Sequence, residues 1–289
     1  MSYRTLIDCR QLAGRLGDPD WRIFDCRFDL ADTARGERDY GVVHVPGAIY
    51  AHLDRDLSGP ITPQSGRHPL PDPGALCRWL GLHGIRENTQ IVAYDDSGGT
   101  MAVRLWWLLR WLGHAQVALL DGGWQAWQGA ALPTDQAPRS PTAATDFRCR
   151  PDWRQVATSD EIMRQAEDGG SGMLLIDARS AQRFRGEVEP IDPVAGHIPG
   201  AVNLPLQQNL AADGRFLPAG DLRALYQGAL AGRPAHDVVV MCGSGVTACH
   251  NLLAMEIAGL PGGRLYAGSW SEWIRDPSRP VATGDARGA

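Results

Sequence analysis

Short runs rich in β-branched residues alternate along the chain with longer segments that are apolar throughout most of their length. Gln90 to Tyr94 and Asp237 to Met241 read as strands, and each leads through glycines into a long apolar helix, Met101 to Leu112 and Ala248 to Ala258. Two further strands, ending in Asp25 and Asp177, follow helices that open at capping-box spacing, Asp8 with Gln11 and Thr158 with Glu161. Strands alternating with helices predict an α/β fold in which a mainly parallel sheet is flanked by helices on both faces.

The pattern is written twice. Arg22-Ile-Phe-Asp-Cys-Arg27 returns as Leu174-Leu-Ile-Asp-Ala-Arg179, His44-Val-Pro-Gly-Ala48 as His197-Ile-Pro-Gly-Ala201, and Leu119-Leu-Asp-Gly-Gly-Trp124 as Leu265-Tyr-Ala-Gly-Ser-Trp270, in the same order. Two tandem copies of one domain are therefore expected, over residues 1–135 and 153–289. The segment 136–152 between them carries Pro138, Pro141 and Pro151 among small polar residues without an apolar period, which marks a linker. A chain of 289 residues suits two cores better than one.

Composition narrows the class of protein. With 44% hydrophobic and 21% charged residues and a net charge of -5, the chain is an ordinary globular one with no basic field for nucleic acid. Its most apolar run, Leu105 to Leu112, is interrupted by Arg110 and too short to cross a bilayer, and the N-terminus lacks the apolar stretch of a signal peptide. No membrane association and a cytoplasmic location are expected. Six cysteines without a Cys-x-x-Cys pair suggest neither a disulfide scaffold nor a zinc site, and Cys9, Cys26, Cys77, Cys149 and Cys249 read as packing residues. Trp106, Trp107 and Trp111 fall at helical spacing and read as packing too.

Chemistry resides in the loop where the copies differ. Tyr94-Asp-Asp-Ser-Gly-Gly-Thr100 aligns without gaps with Met241-Cys-Gly-Ser-Gly-Val-Thr247, so Cys242 stands opposite Asp95. A strand, a glycine-containing loop and a helix start in succession let backbone N–H groups converge on one point, where the helix terminus favours negative charge. Such a place stabilises an anionic sulfur and makes Cys242 the expected nucleophile, with hydroxyls of Ser244 and Thr247 beside it. The copy carrying Asp95 is expected to be catalytically silent.

Cys242-Gly-Ser-Gly-Val-Thr-Ala248, the two His-x-Pro-Gly-Ala segments and the tandem organisation together resemble the mercaptopyruvate sulfurtransferases of the rhodanese superfamily, over nearly the whole chain. The resemblance implies that Cys242 takes sulfur from 3-mercaptopyruvate as a persulfide, releases pyruvate and passes the sulfur to cyanide, a small thiol or thioredoxin, without metal or organic cofactor. Loop residues Gly243, Gly245, Val246 and Ala248 are expected to line the donor site. Arg183 matches a substrate arginine of the family, and its twin position holds Ala31, whereas Arg179 is shared with Arg27 and reads as a fold requirement. Family members often carry a second arginine before His-Ile-Pro-Gly, but none occurs between Gly186 and Gly196. Arg185, or a residue of the first copy, is left to substitute. His44 is either structural, like its twin His197, or helps Ser244 to move a proton with Asp32 orienting it.

Three other readings compete. A thiosulfate:cyanide sulfurtransferase would use the same Cys242, but relatives of that type place Arg and Lys where this chain has Gly243 and Ser244, so the loop favours a monocarboxylate donor. A cysteine phosphatase requires arginine in a Cys-x5-Arg pattern where Ala248 stands. A non-enzymatic rhodanese-like binding module would have no need of the intact cysteine loop.

Overall fold

The computed structural model describes residues 2–137, 143–167 and 172–285. Pro138 and Pro141 of the expected linker lie outside the described residues. The chain divides into two compact units. The first comprises Met1–Gly59, Leu70–Asp152 and Ala212–Phe216; the second comprises Pro60–Pro69, Trp153–Ala211 and Leu217–Ala289. Neither unit is thus one continuous stretch of sequence, in contrast to the expected division at 1–135 and 153–289.

The strands of the first unit are β1 (Leu6–Ile7), β2 (Trp21–Asp25), β3 (Ile49–Tyr50), β4 (Gln90–Tyr94) and β5 (Val117–Leu120). They form a wholly parallel sheet in the order β1-β5-β4-β2-β3. The second unit repeats the arrangement with β6 (Val156–Ala157), β7 (Leu174–Asp177), β8 (Val202–Asn203), β9 (Val238–Met241) and β10 (Arg264–Tyr266), in the order β6-β10-β9-β7-β8. Parallel neighbours require helical crossovers, and these cover the sheets, so the central strands are apolar and buried on both faces.

Both expected capping boxes are made: Asp8 accepts from the Gln11 N–H at 2.8 Å, and Glu161 accepts from the Thr158 N–H at 2.8 Å. Ile7, Leu12, Ile23, Val92, Tyr94 and Trp127 pack the core beside the first sheet, and Leu175, Phe184, Ile198, Val239, Met241 and Trp273 the corresponding core of the second. Trp106, Trp107 and Trp111 are all buried along the helix Ala102–Trp111.

The shared Asp-x-Arg motif has the same job in each unit. Arg27 pairs with Asp25 and lies over the Trp124 ring at 4.9 Å; Arg179 pairs with Asp177 and lies over Trp270 at 4.7 Å. Each arginine also donates 2.7 Å to a carbonyl of the segment preceding its twin Pro-Gly turn, Val43 or Gly196. A buried, fully bonded ion pair of this kind pins the strand end to neighbouring segments, and removing one partner strands the other.

Two cysteines read as ordinary packing residues prove to be partners. Cys77, in the helix Pro73–Leu82, and Cys149 are joined as a disulfide with their Cα atoms 6.2 Å apart. The sequence offered no sign of this, because 72 positions separate them and only the fold brings them together. Cys9, Cys26, Cys242 and Cys249 are free and buried.

Candidate active site

Cys242 follows β9, a central strand, at the carboxyl end of the parallel sheet, where ligands of open α/β sheets are commonly received. The loop to Thr247 hands over to the helix Ala248–Ile257, with Thr247 at its N-cap but making no capping bond. Gly245 has φ +75, and a Cβ there would lie 2.8 Å from the carbonyl carbon of Ala267, so both conformation and space require glycine. The turn brings the Gly245 N–H to the Cys242 sulfur at 3.2 Å. Val246 and Ala248 are buried behind the loop. Cys249 donates its thiol toward the Gly245 carbonyl at 3.5 Å and is also buried.

Ser269 fixes the backbone of Cys242. Its hydroxyl accepts from the Cys242 N–H at 3.1 Å while donating to the Tyr266 carbonyl at 2.9 Å. Ser269 has φ +54, a left-handed conformation that costs a non-glycine residue energy, and its twin Gly123 has φ +56. The serine accepts that strain where the first copy uses glycine, and what it gains is the hydroxyl that holds Cys242.

The loop of the first copy shows what such a turn can bind. In the first unit the Asp95 carboxylate is fully buried and accepts four backbone N–H bonds: from Ser97 and Gly99 on one oxygen at 2.8 and 2.9 Å, and from Met101 and Ala102 on the other at 2.7 and 2.8 Å. A strand–loop–helix of this design converges backbone donors on one point, filled in one copy by the Asp95 side chain.

Around Cys242 the second unit gathers groups from distant parts of the sequence. His68, in the segment Pro60–Pro69, is buried, and its Nδ1 lies 2.7 Å from Ser244 Oγ. The segment is held by Gly66, where a Cβ would lie 2.6 Å from the Gly268 carbonyl oxygen, and by the Arg67 N–H, which donates to Ser271 Oγ at 3.1 Å. Arg183, near the end of the short helix Ala181–Phe184, binds Glu189 through Nε and Nη2 at 3.1 and 2.7 Å and Asp192 through Nη2 at 3.2 Å. Arg67 pairs with the other oxygen of Asp192. A Cβ on Gly243 would lie 2.9 Å from Arg67 Nη2 and 3.5 and 3.6 Å from the Nη2 and Nη1 of Arg183, so both guanidiniums lie against the residue after Cys242.

The two acids differ. Burial pushes the Asp192 carboxyl up, and the cations only partly oppose it. Burial acts on Glu189 as well, but hydrogen bonds from Arg183 and the Asp192 amide hold it below the usual carboxylate range.

Other expected site residues lie elsewhere. His44 belongs to the first unit, stacked on Tyr40, with Nδ1 2.6 Å from the Tyr40 carbonyl and Nε2 3.1 Å from that of Ala137. Both nitrogens face acceptors, so the ring is not placed to serve Ser244; the imidazole at Ser244 is that of His68. Asp32 does not orient His44: it is exposed and pairs with Arg38, whose hydrogen bond lowers its pKa. Arg185 pairs with Glu187 at 2.7 Å at the surface and is not part of the arginine pair at Gly243. Among the described residues there is no cluster of His, Cys, Asp or Glu fit to hold a metal ion, and no helix long and apolar enough to cross a membrane.

The Rhodanese-like domain family matches residues 8–130 and 158–276, once in each copy. The chain belongs to the rhodanese family. A probable 3-mercaptopyruvate sulfurtransferase of Pseudomonas aeruginosa is 52% identical over 99% of this chain and 100% of its own length. A putative thiosulfate sulfurtransferase of Mycobacterium tuberculosis is 40% identical over 98% of each chain. Among solved structures, the 3-mercaptopyruvate sulfurtransferase from Leishmania major superposes with a TM-score of 0.82 at 34% identity, covering 95% of this chain and 76% of the other. The chain is thus similar to relatives named for two different sulfur donors.

Proposed function

We propose that this sulfurtransferase moves sulfur from 3-mercaptopyruvate through a persulfide on Cys242 to a thiophilic acceptor. The observation that carries the reading is the loop itself: its aligned twin binds the Asp95 carboxylate with four N–H groups, and the loop after Cys242 turns the Gly245 N–H onto the sulfur. An anionic outer sulfur on Cys242 has the chemistry that such donors stabilise.

In the first half-reaction Cys242 attacks the donor sulfur. The new S–S bond forms as the carbon–sulfur bond breaks, and that electron pair leaves on carbon as the enolate of pyruvate. Ser244, hydrogen-bonded to His68, takes up the thiol proton and returns it to the enolate carbon. Arg183 holds the donor carboxylate. In the second half-reaction cyanide, a small thiol or reduced thioredoxin attacks the outer sulfur, and the S–S electron pair returns to Cys242, giving ping-pong kinetics.

Thiosulfate is the second reading. It is favoured by the two guanidiniums beside Gly243, which supply from other segments the positive charge that the loop itself lacks. Steady-state transfer to cyanide with each donor in parallel, with Cys242→Ser as the blank, separates the two. Preference for mercaptopyruvate, pyruvate release and a protein one sulfur atom heavier before acceptor is added are expected. Activity that survives in Cys242→Ser would end the persulfide reading.

A further inference from the structure

We infer that Arg67 is the second cation that binds the donor's anionic group, with Asp192 as the positioning residue that holds it beside Arg183. The inference rests on Cys242 being the reactive thiol, and it supplies the arginine that the stretch Gly186 to Gly196 lacks.

Three observations within the second unit converge on this role. Arg67 Nη2 and both Nη atoms of Arg183 lie within 3.6 Å of where a Cβ on Gly243, the residue after Cys242, would stand. The Arg67 Nε is buried and has no hydrogen-bond partner, an unused donor on the side chain whose Nη2 lies against Gly243. A buried donor left unmade costs stability, and a site that receives an anion is a place where that cost is recovered. Finally, Asp192 spans the pair, one oxygen on each arginine. Two guanidiniums repel, and a carboxylate between them is what lets both face the same spot. The carboxylates of Asp192 and Glu189 are only 3% exposed, whereas the arginine side chains are 24% and 17% exposed, so the acids sit behind and the cations in front.

The arrangement also explains Gly243. Any side chain there would meet Arg67, so a loop that carries its own cation at this position could not keep this arginine in place. Arg67 and a bare Gly243 are one solution to the charge problem. The guanidiniums of Arg67, Arg179 and Arg183 are matched by the carboxylates of Asp177, Glu189 and Asp192, so the cluster as a whole is close to neutral. Recognition of the donor then depends on directed N–H bonds more than on bulk charge, which suits a carboxylate.

The test uses the full chain and two alkylating agents that differ in one group. Iodoacetate carries a carboxylate and iodoacetamide does not, so the ratio of their rates at Cys242 reports anion recognition whatever the natural donor. Arg67→Met is expected to lower the iodoacetate-to-iodoacetamide ratio by about tenfold or more, the weight of one charge-assisted hydrogen bond. Arg67→Lys should restore part of it, and Asp192→Asn should lower it severalfold. With mercaptopyruvate, Arg67→Met should raise KM and leave kcat within about threefold. A ratio unchanged in Arg67→Met, or both reagents slowed equally, overturns the inference. Should that variant fail to fold, Arg67→Gln is read by the same criteria. A falling ratio in a protein that does not turn over mercaptopyruvate would sink the donor assignment and leave the Arg67 inference standing.

Discussion

His68 Nδ1 and Ser244 Oγ share a hydrogen bond of 2.7 Å although 176 positions separate them in the chain. The pair is buried, so the hydroxyl has a fixed partner, in the same loop as the Cys242 sulfur. A serine alone at this place would be a weak acid and a weaker base, and the imidazole is the partner through which a proton could pass.

That relationship sets a kinetic expectation. His68→Asn and Ser244→Ala should each lower kcat for mercaptopyruvate by about a hundredfold with little change in KM, the usual weight of a positioned proton shuttle. The double variant should be hardly slower than either single one, since the two act as a unit. Multiplicative losses in the double variant would mean that the residues work separately. His44→Asn, by contrast, removes contacts to the Tyr40 and Ala137 carbonyls and should affect the stability of the first unit more than turnover.

The parts of the fold legible in the sequence were those written locally. Strand runs, the boxes at Asp8 and Thr158 and the loop from Cys242 to Thr247 each depend on neighbours a few positions away, and comparison of the two copies set Asp95 opposite Cys242. Arg67 and His68 were not legible, because their segment has no apolar period and reaches the site only through the fold. A faint signal was present: Gly66-Arg67-His68-Pro-Leu-Pro71 echoes Gly214-Arg215-Phe216-Leu-Pro218, with phenylalanine where the first copy has histidine. The comparison of copies that singled out Arg183 would have singled out His68. His44 attracted attention instead because its motif is conspicuous, yet that motif recurs in both copies and serves the fold in both: His197 stacks on Phe184 at 3.8 Å as His44 does on Tyr40.

The Cys77–Cys149 pair gives a test by counting thiols. Protein denatured without reductant should titrate four thiols, those of Cys9, Cys26, Cys242 and Cys249. Closing a loop of this length contributes at most about 4 kcal/mol through the entropy of the unfolded chain. Reductant should therefore lower the urea midpoint of the first unit, and Cys77→Ser should make that midpoint insensitive to reductant. Six titrating thiols, or a midpoint indifferent to reductant in the unaltered chain, would show that the cross-link does not form in solution.

The twin positions Asp95 and Cys242 should respond in opposite ways to substitution. Asp95 satisfies four buried N–H groups, and Asp95→Asn turns one side of the carboxylate into a donor that faces donors. Leaving two of those bonds unmade should cost about 2–5 kcal/mol and unfold the first unit at lower urea. Cys242 Sγ accepts one bond, from Gly245, and its backbone is held independently by Ser269 and Trp270, so Cys242→Ser should cost only about 1 kcal/mol while abolishing sulfur transfer. Urea unfolding followed by far-UV circular dichroism compares the two variants directly. Equal losses would mean that both loops need their central side chain for folding; the expected asymmetry would mean that one copy has spent its anion cradle on stability and the other keeps it open for chemistry.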